Sequence, residues 1–544
     1  MLFLADFLDT LLRGVVLAGV ALALGGLAWA LWALRPWTRQ APDALVTRAL
    51  MLVAIGAGAT AVGQAVLLAL KALVLSDSFG RVALEGFAVT LHFMAGTARI
   101  LVALCLAAAA LWLRRAVHDG LRWITVIALA VLLAATGAWL THATGRLQDR
   151  AALMTLTALH QVAASVWVGG LAQLAGAWWL ARRQPAIDAV WPALVRRFSA
   201  LATTSVAVLI ATAIPLTWTY AGSWRGLLGT GYGALVVSKT MLMLAALALG
   251  ALNWKAVRSP TVPGAGGIIR TRLPLLVEAE AILLVMILFT AATLSGQPPS
   301  IDVAAADQAT VNEVAEVFRP KLPSLHTPSV DAMRQDRGVG DDAPGGRSRD
   351  AYRWSNFSHN VSGLILLAMS LVALGGSLAR PNGGRHWPLG FVALAAFVYL
   401  RAAANKGSWP FGDIPLWRIG PEGVQHALAA MLVLGLGLIE WRARARPDRA
   451  RLSSRVFPAL AAAGAVLLLT HSHTAFQTKA SFLVQVTHTT MGALAALLVA
   501  ARWLELRLTP PATRVAGAAA SAAMLIIALI LVFYREANIL VPPD

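Results

Sequence analysis

Long apolar runs recur along the whole chain, separated by short polar segments. Runs of about 20 residues have the length of a helix that crosses a hydrocarbon core. Leu11 to Leu34 and Ala516 to Phe533 are two examples. The pattern predicts fourteen spans, near 11–34, 49–74, 87–113, 122–142, 152–181, 197–219, 231–254, 272–295, 355–377, 387–404, 421–441, 456–471, 479–503 and 515–534. The expected fold is an all-α polytopic membrane protein. The first run has no basic n-region and no small-residue cleavage site, so it reads as a retained helix. One stretch breaks the series. From about Gly296 to Trp354 the chain is rich in Pro, Asp, Arg and Gly and holds no long apolar run. It divides the chain into an eight-span domain (1–295), a loop (296–354) and a six-span domain (355–544). Within the loop, Val311, Val314 and Phe318 mark one face of a short amphipathic helix. The rest reads as a linker or partner-binding segment.

Composition agrees with the pattern. Of 544 residues 58% are hydrophobic and 13% charged, too apolar for a soluble domain of this size. The formal charge of +19 sits in alternate short loops, which is the positive-inside arrangement rather than a nucleic-acid surface. Basic loops hold Arg35, Arg39 and Arg48; Arg114, Arg115 and Arg122; Arg182, Arg183, Arg196 and Arg197; Lys255, Arg258, Arg270 and Arg272; Arg380 and Arg385; Arg442 to Arg455; and Arg502, Arg507 and Arg514. With these loops in the cytoplasm, both termini and the long loop face outward. Arg401, Lys406 and Arg418 fit this scheme least well. The single cysteine, Cys105, excludes an internal disulfide and reads as a small buried hydrophobe.

This topology sorts the histidines. Nine of eleven fall at the outer side: His92, His142, His160, His326, His359, His426, His471, His473 and His488. His118 and His386 fall inside. Imidazole ligates both metals and haem. Polar groups inside membranes are costly and mark sites or pathways, so the one-sided array points to a metal or haem task. His326, in the loop, is the weakest member. Met94, Met154 and Met491 are softer candidates, although helical phase turns Met94 away from His92. Lys239, Glu278 and Glu280 form a second set, within reach of one another on antiparallel helices as an ion pair or a coupling site. Arg99, on the face of His92, seeks a carboxylate. Glu422 stands four residues before His426 and reads as its orienting partner or as a helix N-terminal acid.

The two domains share a hairpin pattern. Leu140-Thr141-His142 is followed by His160, and Leu469-Thr470-His471 by His488. A duplication would make the two-histidine hairpin the functional unit. The stretch from Leu140 to Pro299 also resembles the copper resistance protein D (CopD) family. The matching elements are Thr141-His142-Ala143, His160, Trp167-Val168-Gly169-Gly170, Arg196-Arg197-Phe198-Ser199, Gly231-Tyr232-Gly233, Lys239, Asn253, Glu278 and Gly296 to Pro299. With the first three spans, the resemblance covers about 300 residues. It implies an inner-membrane protein that handles periplasmic copper alongside a small copper carrier, with His142 and His160 in its functional core. The loop and six further spans depart from the family's eight-span form.

Three readings follow. The first is copper transport, inward, through outer-face histidines. The second is a haem-binding redox protein, with haem b on histidines of neighbouring helices. The third is an accessory receptor for a periplasmic copper carrier. The expected site residues are His142, His160, His92, His471, His473, His488, His359 and His426 for metal. Lys239, Glu278, Glu280 and Arg99 are expected for coupling. Partners are copper ion and membrane lipid, not nucleic acid. No Gly-x-Ser-x-Gly, His-Glu-x-x-His or nucleotide-binding loop occurs, which argues against an enzyme and against direct ATP use.

Overall fold

The computed structural model describes residues 2–35, 42–258, 272–332, 349–378, 385–415, 420–445, 453–470 and 478–536. The helices are α1 (Leu2–Trp29), α2 (Asp43–Ala88), α3 (Leu91–Leu113), α4 (Gly120–Ala138), α5 (Arg150–Ala181), α6 (Pro185–Ala221), α7 (Trp224–Leu228), α8 (Gly231–Arg258), α9 (Leu273–Gly296) and α10 (Val311–Phe318). They continue as α11 (Arg349–Leu378), α12 (Gly390–Lys406), α13 (Gly420–Ala445), α14 (Ser453–Thr470), α15 (Lys479–Glu505) and α16 (Ala512–Val532). No strand occurs among the described residues beyond one isolated bridge, Ser408 to Ile414.

Thirteen of these helices are long and apolar enough to cross a membrane. This is a multi-pass, all-α membrane protein. The expected fourteenth span is α14, whose apolar part is shorter, Ala459–Leu469. The second span runs well past its expected end at 74. Ser76-Asp77-Ser78 interrupts its apolar run, yet nothing there breaks a helix. The bend comes at Gly80, where φ is +77° and only glycine is unstrained. An Arg81–Glu85 pair at 3.0 Å holds the turns beyond it. Large apolar side chains such as Val131, Ile214, Trp218 and Leu244 are exposed, as lipid-facing positions are. Cys105 is exposed on α3 as well, which corrects its expected burial: in a bilayer the outer surface is also apolar.

The chain packs as two compact units. The first comprises 1–223 and 243–302, the second 224–242 and 303–544. In the first unit α1 is central and packs on α2, α4, α5 and α9. Close approach to α5 depends on two glycines. A methyl group on Gly169 would strike the backbone of Ala21 and Gly25, and one on Gly25 would strike Ser165 and Gly169.

In the second unit α11 to α16 form a closed sequence of neighbours, each packing on the next and α16 on α11. The stretch from Val303 to Ala332, expected as linker, is folded as part of this unit. The amphipathic helix is present as α10, with a Thr310–Glu313 capping box. Its apolar face is Val314, Val317 and Phe318, against Phe482 and Val486 of α15, while Val311 is exposed. Lys479 closes this contact with an ion pair to Glu313 at 3.0 Å. Arg401, awkward for the charge pattern, lies 3.2 Å from the centre of the Trp354 ring and donates to Ser358 Oγ at 2.9 Å.

Candidate functional site

In the first unit a polar cluster gathers where α1, α3 and α5 begin and α2, α4, α6 and α9 end. His142 opens the 3₁₀ turn His142–Gly145 between α4 and α5. Its ring packs edge-on to Tyr220, the centroids 6.4 Å apart. Among the described residues its Nε2 is buried with no partner. The backbone of Leu294 on α9 lies close enough to act on the ring. Burial holds this imidazole below its usual range, the nearby Arg13 lowers it further, and the Leu294 carbonyl opposes both. Close by, Arg146 forms a two-pronged pair with Asp302 and lies 5.6 Å from the Tyr220 ring.

His160 lies on α5. Its Nδ1 is 3.0 Å from Thr212 Oγ1, whose own hydrogen goes to the Val208 carbonyl at 2.7 Å. Thr212 Oγ1 therefore accepts, which leaves the His160 lone pair on Nε2. Thr212 and Tyr220 are eight residues apart on α6, about 12 Å of rise. His160 thus sits about two turns deeper than His142.

The other expected members of the first unit behave differently. His92 Nε2 is 3.0 Å from Lys71 Nζ. An ammonium only donates, so this imidazole nitrogen accepts and is occupied. Arg99 is 6% exposed and its Nε has no partner. It meets no carboxylate, contrary to expectation. Its neighbours at Gly137 include the Gln161 amide of α5.

Of the two carboxylates expected near Lys239, Glu280 bonds neutral donors instead. It is 4% exposed, and its two oxygens accept from Trp167 Nε1 and Asn253 Nδ2, each at 3.1 Å. Glu278 and Lys239 are half-buried. A cavity of about 320 Å³ adjoins Glu280, walled by α5, α6, α8 and α9. Sequence reasoning missed Trp167 and Asn253 as polar partners. They had been read only as matching elements of a family.

In the second unit two expected histidines come together. His359 on α11 and His488 on α15 meet edge to face, with ring centroids 5.6 Å apart. Tyr534 stacks on His359 at 4.1 Å. His359 Nδ1 is 2.9 Å from the Ser355 carbonyl and His488 Nδ1 is 3.0 Å from that of Val484. Both hold the same tautomer as His160. This pattern, Nδ1–H anchored and the lone pair on Nε2, is the one that orients metal-ligating histidines. Asn360 holds the end of α16 in place by donating to the carbonyls of Leu531 and Tyr534, both at 3.0 Å.

His426 is half-buried on α13. His471 and His473 lie outside the described residues, as does the side chain of Glu422. Met491 is buried in the core. His386 accepts from Trp441 Nε1 through Nδ1 at 2.9 Å. Among the described residues no three of His, Cys, Asp and Glu converge as a metal cluster.

Residues 192–294 match the family described as Copper resistance protein D. Over 140 residues the chain is 31% identical to the copper transport protein CutJ of Bacillus subtilis (strain 168). That stretch is 26% of this chain and 24% of the relative, so the match spans about a quarter of the relative's length. No solved structure matches the chain. His142 and His160 precede the matched region, but Thr212 and Tyr220, which touch them, lie within it. The region similar to the copper resistance protein D family runs from α6 to the end of α9.

Proposed function

We propose that this membrane protein carries copper inward across the bacterial inner membrane, with copper entering at the histidine end of the first unit. Both chain termini and the histidines face the periplasm in this reading, as the basic loops require. The observation that carries it is His142: a buried imidazole whose Nε2 has no partner among the described residues. Such a nitrogen is open to a metal, and an imidazole kept neutral is in its ligand form. His160, two turns deeper, is the next step inward. The His359–His488 pair gives the second unit a comparable pair of ring nitrogens. A periplasmic copper carrier would deliver the ion, and Arg146 with Asp302 lies beside the entry. The copper-related names of the matched family and relative support the cargo.

His142→Ala and His160→Ala each test this. Equilibrium dialysis of purified protein against copper(I), beside copper accumulation in cells, should show each variant at least about tenfold weaker, the scale of lost metal-site interactions. Wild-type affinity and accumulation in both variants, at normal expression, would contradict it. A Soret band that survives purification and disappears in histidine variants would favour a haem protein instead.

A further inference from the structure

The histidine route leaves the buried carboxyl of Glu280 unused. We propose that Glu280 is a proton-exchanging cation site: it releases a proton when a monovalent metal ion enters the adjoining cavity, and recovers one when the ion leaves. This rests on the transport reading, since it places the exchange at the far end of the same unit.

Three observations carry it. First, both carboxyl oxygens accept from neutral donors, Trp167 and Asn253, and among the described residues no cation bonds Glu280. An ionised carboxylate in an apolar interior is costly without a countercharge. The group is therefore neutral while it carries a proton, or ionised while a cation stands beside it. Second, it borders a cavity of about 320 Å³, large enough for a metal ion with several waters. The walls are apolar except for Ser199, Thr203 and Asn253, whose oxygens can complete a coordination shell. Third, α5 connects the two sites. His160, Trp167, Leu171 and Leu174 follow at intervals of seven, four and three residues, hence along one helix face. Trp167 holds Glu280, and Leu171 and Leu174 line the cavity.

The surrounding charges do not compete for this role. Neither α5, α6 nor α8 brings a second titratable side chain to the cavity wall. On α9 itself Glu278 is two residues away. Arg48 of α2 packs on Gly176 of α5. On α1, Arg13 reaches Ser295, fifteen residues further along α9 and about 22 Å away by helical rise. In the exchange, the Glu280 O–H bond breaks as the oxygen–cation contact forms, and the proton leaves through water in the cavity. One positive charge enters and one leaves, so the site stays neutral overall.

Infrared difference spectra of the full chain in lipid nanodiscs, with silver(I) as a redox-silent probe, test the proposal. Wild type should show a protonated-carboxyl stretch that bleaches when silver binds, with proton release into weakly buffered medium. Glu280→Gln should lose both signals, and Glu280→Asp should restore them. Trp167→Phe keeps the carboxyl and removes one donor, so its band should persist at a shifted frequency. A spectrum and proton release in Glu280→Gln identical to wild type would overturn the proposal, as would an unshifted band in Trp167→Phe. Proton release in a protein that moves no copper across vesicles would support this site and overturn the transport reading. Copper transport in a protein whose Glu280 band ignores silver would do the reverse.

Discussion

At the scale of single residues, what separates His142 from His92 is whether Nε2 already has a partner. His142 has burial and Arg13 keeping it neutral. Because folding lowers this pKa from about 6.5, its contribution to stability is complete above that pH and is lost as pH falls through the folded value. The same shift governs the ligand. Copper(I) binding to wild type, followed by dialysis from pH 7.5 to 5, should hold to a lower pH than an ordinary imidazole of pKa about 6.5 permits. A midpoint at or above that value would contradict the environment described for His142. Residue type and approximate depth were legible in the sequence for His142, His160, His359 and His488. The sequence could not display that Lys71 occupies His92, or that Glu280 is held by an indole and an amide. Those facts depend on which helices become neighbours, and periodicity carries no such information.

Among elements, α5 does most of the positioning. It presents His160 toward α6, Trp167 toward Glu280, and Gly169 toward α1. The Trp-Val-Gly-Gly motif thus joins a polar anchor to a close helix crossing. Gly169→Leu inserts a branched side chain where the α1 backbone lies. Overpacking of this kind costs about 1–3 kcal/mol or more. We expect a lowered unfolding temperature in detergent and loss of copper binding with it, read by thermal-shift fluorescence. Unchanged stability would mean that α1 and α5 are not packed as described. Element existence was legible from the apolar runs, because bilayer thickness dictates their length. Element ends were less so. The polar dip at Ser76-Asp77-Ser78 resembled a loop, yet the helix continues to a bend at Gly80, since Ser and Asp do not break helices as Pro does. The segment around α10 read as linker because its apolar face is only three residues wide, and its partner, Phe482 and Val486, stands far off in sequence.

At the scale of the whole molecule, basic loops alternate along the chain, and in the first unit His142 and Glu280 with its cavity lie toward opposite ends. Leu294, near His142, is fourteen residues from Glu280 on α9, about 21 Å by helical rise. An ion handed from one to the other crosses most of the hydrocarbon thickness of about 30 Å. The decisive measurement is copper(I) entry into proteoliposomes containing purified protein, wild type beside the His142→Ala/His160→Ala double variant. Time-dependent entry in wild type, reduced at least about tenfold in the double variant, is the predicted result. No entry in wild type, or equal entry in both, would contradict copper transport through these histidines.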